Sequence, residues 1–127
     1  MGCDIHIQIE YRSKSSTDKT WDALSSHPLP ADRCYRLFAY LAGVRNSHGV
    51  SPIVWPRRGI PDDISLGTKL SEHRDNHSHT WLTPKEFEDA LIMTRMSDDI
   101  SYGVILAIVN YYLQQGLEVR ILLSFDS

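Results

Sequence analysis

Five polar residues have the types that bind metals or transfer protons. Asp4 and His6 are two apart in an alternating segment, so both point to the same side of a strand. Asp126 belongs to a second alternating segment, and pairing of the two strands brings its carboxylate beside them. His77 and His79 share a face if their segment is extended. This set predicts either a polar ligand site or a metal site whose bound water hydrolyses a substrate.

The spacing of these residues leaves the metal question open. The chain has neither a helical His pair nor a Cys-x-x-Cys motif. One interpretation needs no cofactor and treats the residues as ligand contacts or as solvated strand residues. The alternative is a divalent metal, such as zinc or manganese, bound by Asp4, His6, His77 and His79.

The segment from residue 45 to residue 82 combines arginine, histidine and tryptophan. The chain has nine arginines but only four lysines, and a planar guanidinium pairs with phosphate in bidentate geometry. Arg45, Arg57 and Arg58 are therefore predicted to hold phosphates. Trp55 or Trp81 is predicted to stack on a base, unless both are buried anchors. The full predicted ligand set is Asp4, His6, Arg45, Asn46, Arg57, Arg58, His77, His79, Trp81 and Asp126.

Alternating segments predict the strands that position these residues. In residues 3–11 a cysteine, three isoleucines and a tyrosine alternate with polar residues, which is typical of a half-buried strand. Residues 118–125 alternate in the same way. Residues 19–24, around Trp21, are predicted to return beside the first strand as a hairpin.

Capping signals predict helices between these strands. Asp32 is predicted to cap a helix over residues 33–42, with Gly43 as its left-handed stop. Thr83 and Glu86 form the capping box of a helix that ends near residue 93. Residues 45–82 are predicted to be irregular, apart from a short helix at residues 62–73.

The last predicted helix, residues 98–115, is apolar on nearly every side. Such a helix is buried on more than one side. Either it packs beneath the other helices, which is the favoured interpretation, or it pairs with a second subunit as a homodimer.

These elements predict a single domain, residues 1–127, of the α+β class. Its small antiparallel sheet has three or four strands, the first strand lies inside the sheet, and helices pack on one face. The net charge of -3 argues against binding a nucleic-acid polymer. No apolar run approaches the roughly 20 residues that span a bilayer. Two cysteines and no basic-then-apolar leader favour a reducing cytoplasm.

Blocks at residues 1–6, 35–39, 41–46, 56–61, 77–83 and 119–126 carry a family resemblance. They resemble short proteins of tailed bacteriophages and prophages that begin Met-Gly-Cys-Asp-Ile-His. The resemblance covers nearly the whole chain and implies a phage origin, and hence the cytoplasm of an infected bacterium. It implies no activity. One departure is the doubled arginine at positions 57 and 58, where the family pattern has a single arginine before the glycine.

A phage origin favours particular functions for a small acidic protein. The predicted function is binding of a small phosphorylated, nucleotide-like ligand, such as a host immune signal that the protein sequesters. Two alternatives stay open. One is a metal-dependent hydrolase of such a ligand, and the other is an inhibitor that docks on a host protein.

Overall fold

The computed structural model describes residues 2–127, and Met1, the first residue of the N-terminal motif, lies outside them. Within these residues the chain forms four strands and four helices. Their bounds in chain order are β1 Asp4–Ser13, β2 Asp22–Ala23, α1 Tyr35–Ala42, α2 Leu66–Ser71, β3 His77–Leu82, α3 Pro84–Met93, α4 Ile100–Gln114 and β4 Leu117–Asp126.

One antiparallel sheet holds these strands in the order β2-β1-β4-β3. β1 and β4 pair along their whole length, from Asp4 opposite Asp126 to Ser13 opposite Leu117. The predicted α+β class and the position of the first strand inside the sheet are therefore confirmed. Among residues 2–127, no helix has both the length and the apolar character needed to cross a membrane.

The apolar face of the sheet forms one side of the core. Ile7 and Ile9 of β1 and Ile121 of β4 are fully buried, and they cluster with side chains of α1, α3 and α4. Phe38 of α1 meets Phe125 of β4 edge-on, with ring centroids 5.2 Å apart. The alternation in the two long strands thus directs one set of side chains towards the helices.

The opposite face of the sheet is covered, and a buried ion pair lies beneath the cover. Glu10 and Arg120 are opposite each other in β1 and β4, and Arg120 Nη2 lies 2.6 Å from Glu10 Oε1. Glu10 Oε2 accepts hydrogen bonds from the Ser65 N–H at 2.7 Å and from the Thr68 hydroxyl at 2.6 Å. Because Glu10 is 0% and Arg120 only 7% exposed, the segment that leads into α2 seals this part of the face.

Residues outside the strands complete the charge network. Arg120 Nη1 lies 3.0 Å from Asp63 Oδ1, and its guanidinium lies 4.1 Å from the centroid of the Trp21 ring. The Trp21 indole N–H donates to Asp63 at 3.2 Å. Burial alone would raise the pKa of Asp63, but the hydrogen bond and charge of Arg120 outweigh burial and lower this pKa. The buried guanidinium therefore has two carboxylates and an aromatic face as partners.

The hairpin partner of β1 is shorter than predicted. β2 has only two residues rather than residues 19–24, and the pairing resumes as an isolated bridge between Leu29 and Ile7. The Arg12 guanidinium donates to the Lys19 carbonyl at 3.0 Å. This contact occupies the Lys19 carbonyl, which a longer pairing of β1 and β2 would use as a hydrogen-bond acceptor.

The predicted start of the first helix is also wrong. α1 begins at Tyr35, and the side chain of its N-cap, Cys34, makes no capping hydrogen bond. Asp32 is held away from this role by α4: the Tyr102 hydroxyl donates to the Asp32 carbonyl at 2.6 Å, and the Asp32 N–H donates to the Ser101 hydroxyl at 3.0 Å.

The middle of the chain, predicted to be irregular, contains α2 and the edge strand β3. α2 is shorter than the predicted residues 62–73, because Ser65 caps its first turn. β3 pairs with β4, but its register shifts between His77 and Thr80, and Ser78 has a φ of 58°. This irregularity interrupts the period of two that identifies a strand in sequence.

Two local signals are confirmed at helix ends. The Thr83 hydroxyl accepts from the Glu86 N–H at 3.2 Å, and the Glu86 carboxylate accepts from the Thr83 N–H at 2.8 Å. Gly43 ends α1 with a φ of 70° and donates to the Ala39 carbonyl. Both features depend on residues that are close along the chain.

α4 is less buried than predicted. Asp99 caps it, and its fully or nearly fully buried residues are Tyr102, Ile105 and Val109. Ile100 is 81% exposed and Val104 is 54% exposed. The favoured interpretation, in which α4 packs beneath the other helices, is therefore wrong, because within the chain the sheet and the other helices contact only one side of it.

Two cross-strand Arg–Glu pairs provide a direct test of burial. We expect Glu10→Ala to lower the free energy of unfolding by about 3–5 kcal/mol, because it leaves Arg120 buried without its main partner. Glu118→Ala is the matched control: it breaks the neighbouring Arg12–Glu118 pair, whose carboxylate is 42% exposed, and should cost about 1 kcal/mol or less. Urea unfolding measures both, and equal losses would contradict this account of the sheet.

Candidate functional site

The antiparallel pairing of β1 and β4 brings two predicted site residues together at one end of the sheet. His6 Nε2 lies 2.7 Å from Asp126 Oδ2, and both side chains are partly exposed. Asp4 does not join them in this contact, because its carboxylate pairs with Arg33 at 2.6 Å. The hydrogen bond to Arg33 lowers the pKa of Asp4. The predicted trio is therefore a His–Asp pair next to a separate ion pair.

The His6–Asp126 pair opens into a cleft of about 410 Å³. His77, another predicted site residue, lies nearby: its Nε2 is 3.1 Å from the Ser127 hydroxyl. Sequence reasoning missed His73 and Asp75, although residues 73, 75 and 77 form an alternating His-Asp-His pattern. Among residues 2–127, the side chains that line this cleft include two carboxylates and no lysine or arginine, and it is called here the acidic cleft. Its lining residues are His6, Pro28, Ser71, His73, Asp75, Asp126 and Ser127.

The predicted metal ligands lie in separate pairs. His79 Nε2 is 3.0 Å from Glu72 Oε2, whereas His77 contacts Ser78 and Ser127. The irregularity in β3 separates the two histidines, which were predicted to share a face. Within residues 2–127, no three His, Cys, Asp or Glu side chains are grouped so that they could hold a metal ion.

Arg58 and Trp81 are used within the fold. Both guanidinium Nη atoms of Arg58 pair with the Glu86 carboxylate, at 2.7 and 2.9 Å, and the guanidinium lies 4.4 Å from the centroid of the Trp81 ring. The hydrogen bond from Arg58, aided by the Thr83 N–H, lowers the pKa of Glu86 against the opposing effect of burial. The Arg58 guanidinium, which was predicted to bind a phosphate, thus already binds a carboxylate of the same chain.

Trp55, in contrast, is 59% exposed and forms one wall of an open pocket. This pocket, called here the Trp55 pocket, has a volume of about 380 Å³ and is lined by Gly43, Asn46, Gly49, Val50, Ser51, Pro52 and Trp55.

Local structure positions the tryptophan and its neighbours. A Cβ atom on Gly43 would lie 3.0 Å from Trp55 Cζ3, so the glycine that ends α1 also leaves space for the ring. The Arg57 guanidinium lies 4.8 Å from the centroid of the Trp55 ring, and its Nη1 donates to the Ala42 carbonyl at 2.7 Å. The Asn46 side chain exchanges two hydrogen bonds of 2.8 Å with the Val50 backbone and so shapes the loop.

Arg45, the remaining predicted residue, lies beside Asn46 with a φ of 54°. Its guanidinium is 5.0 Å from the centroid of the Tyr35 ring. Six of the ten predicted residues lie near one of two pockets. Arg45, Asn46 and Arg57 lie at or next to the Trp55 pocket; His6 and Asp126 line the acidic cleft, with His77 nearby. The other four make contacts elsewhere in the fold, and they are Asp4, Arg58, His79 and Trp81.

No family model matches the chain, and searches of curated proteins and of solved structures found no match either. The resemblance to phage proteins therefore stays a prediction.

The Arg58–Glu86 ion pair should make the free energy of unfolding depend on pH. The folded-state pKa of Glu86 lies below its ordinary value of 4.5, so its stabilisation is complete above that value and is lost as the pH falls through the folded-state pKa. We expect Glu86→Gln to cost about 1–2 kcal/mol of unfolding free energy at neutral pH. This difference should shrink towards zero at low pH.

Chemical denaturation at a series of pH values measures this difference. Glu88→Gln, the same change two residues further along α3, controls for the loss of one charge. A difference between wild type and Glu86→Gln that does not change with pH would show that the charge of Glu86 does not stabilise the fold.

Proposed function

We propose that the protein binds a small phosphorylated ligand with an aromatic ring, such as a nucleotide, in the Trp55 pocket. The observation that carries this proposal is an exposed tryptophan on the pocket wall with a guanidinium stacked on its ring. An aromatic base gains by stacking on an indole, and a guanidinium binds phosphate. Trp55 and Arg57 are two residues apart in the chain, and the guanidinium lies 4.8 Å from the centroid of the ring.

Size and preorganisation support this pocket. Its volume of about 380 Å³ falls at the lower end of the ~300–1,000 Å³ typical of small-molecule sites. The bond from Arg57 to the Ala42 carbonyl and the contact with Trp55 already order the guanidinium. Binding therefore costs little side-chain entropy at this residue.

The charged residues around the two pockets favour a phosphate in one of them and disfavour it in the other. Asp75 and Asp126 line the acidic cleft and repel an anion. Arg57 lies beside the Trp55 pocket, and Arg45 is next in sequence to its lining residue Asn46. A phosphorylated ligand is therefore expected at the Trp55 pocket.

The sequestration of a host signal is the biological form of this proposal. The resemblance to phage proteins supports it. A phage protein that binds a host signal lowers the free concentration of that signal in the infected cell without having to convert it to a product. A ligand of this kind would be a cyclic nucleotide or an ADP-ribose derivative.

Calorimetric titration against cyclic nucleotides and ADP-ribose derivatives tests the proposal. We expect one ligand class to bind, with Trp55→Ala and Arg57→Gln each weakening binding at least about tenfold, or ~1.4 kcal/mol. Arg74→Gln, which removes an exposed arginine outside the pocket lining, is the matched control and should bind as wild type does. Lack of binding across the panel would reject the nucleotide proposal.

The His6–Asp126 pair favours a second candidate function, the hydrolysis of such a ligand. A carboxylate 2.7 Å from the ring fixes the orientation of an imidazole that opens into a cleft, as in a general base. Because Asp75 and Asp126 repel the phosphate of such a ligand, a zinc or manganese ion would be needed to offset their charge and to supply a bound water as the nucleophile. The predicted metal ligands would have to move together first. This candidate predicts that the purified protein converts the ligand to a hydrolysis product. The variant His6→Gln should lower the rate of that hydrolysis at least about a hundredfold. Lack of turnover, combined with metal-free purified protein by elemental analysis, would remove it.

A further inference from the structure

α4 presents an uncharged apolar surface to solvent. Of its 15 residues, none is Asp, Glu, Lys or Arg. Ile100 is 81%, Val104 54% and Tyr111 59% exposed, and Ala107 is exposed between them. These four residues, called here the outer stripe, follow one another at spacings of four, three and four.

The outer stripe lies outside the core, although Ile100 and Val104 also line a groove beside Leu29, Pro30 and Asp32. The core side of α4 is formed by Tyr102, Ile105 and Val109, on the opposite side of the helix. A helix that faces water normally has polar or charged residues on that side. Spacings of four and three instead match the apolar positions through which two helices pack against each other.

We infer that α4 packs antiparallel against α4 of a second copy of this chain. A symmetric pair places the same surface on both sides of the interface, so a charged stripe would repel itself and an uncharged one does not. In the antiparallel arrangement, the Tyr111 ring of each helix lies between Ile100 and Val104 of the other. The antiparallel arrangement also aligns the helix dipoles favourably.

Gly103 provides an independent observation. Glycine destabilises a helix interior relative to alanine, yet a Cβ at this position would meet only the Ser97 carbonyl, at an ordinary contact distance of 3.4 Å. Packing within the chain therefore does not require the glycine. In the antiparallel pair it lies beneath the Tyr111 ring of the other copy, where a larger side chain would block the approach.

A parallel pair would not use these residues in the same way. It would place Tyr111 against Tyr111 and leave Gly103 facing Gly103, with large side chains together and a gap between the small ones. The antiparallel pair matches a large residue with a small one at both ends. This complementarity within one helix favours a second copy over an unrelated protein as the partner.

Sedimentation velocity of the full chain, from micromolar to near-millimolar concentrations, tests the inference. We expect a dimer whose dissociation constant rises at least about tenfold in Val104→Lys and in Tyr111→Lys. Both side chains are more than half exposed, so the melting temperature of the monomer should not fall. Ile92→Lys, a change of an equally exposed residue on α3, is the control and should leave the dimer intact.

A wild-type protein that is monomeric at every concentration would overturn the inference. So would a dimer that persists in both stripe variants. A lysate protein bound in place of a second copy, with the purified chain monomeric, would also count against it.

Cysteine cross-linking tests the orientation. Ile100→Cys and Tyr111→Cys should form a mixed disulfide when combined, because the two positions meet across an antiparallel interface. Residues 100 of the two copies are then roughly 16 Å apart along the helix axis, at ~1.5 Å per residue. Ready formation of a disulfide by Ile100→Cys alone, beyond that of wild type with its own Cys34, would indicate a parallel pair and overturn the proposed packing.

Discussion

The buried ion pair between Glu10 and Arg120 is the interaction on which the arrangement of the sheet depends. A charged group without a partner is very costly inside a protein. The Glu10 carboxylate is satisfied only when the Ser65 N–H and the Thr68 hydroxyl reach it, and Arg120 only when Asp63 also approaches. The segment that contains these groups must therefore lie across the sheet. As a result, the polar face of β1 and β4 is buried beneath it, as the apolar face is buried beneath the helices.

This cover decides which polar residues remain for a ligand. Arg120 and Arg58 both have forked guanidinium groups, but carboxylates of the same chain already occupy them. Two open features with polar residues lie at the margins of the cover: the Trp55 pocket beyond the end of α1, and the acidic cleft beside His6 and Asp126. They differ in charge, since a guanidinium borders the first and carboxylates line the second.

Part of this arrangement follows from strand pairing alone. His6 and Asp126 were predicted to meet because both long strands alternate and an antiparallel pair joins opposite ends of the chain. The contact of Asp4 with Arg33 was not predictable in this way, because Arg33 lies in an irregular segment before α1. The shifted register in β3 was equally hidden, since no local pattern marks a residue such as Ser78 with a positive φ.

The sequence by itself determined the features that depend on near neighbours: the alternation of β1 and β4, the capping box of α3 and the glycine stop of α1. Only the tertiary structure decided which charges are buried and which aromatic rings are open. Glu10 and Arg120 are 110 residues apart, and each alone resembles an ordinary surface charge. Trp55 and Trp81 likewise look equivalent in sequence. Both rings have an arginine stacked on them, but Trp81 lies in β3, whereas Trp55 lies on the wall of an open pocket. Distant contacts, such as that of Glu86 with Arg58, leave no local pattern.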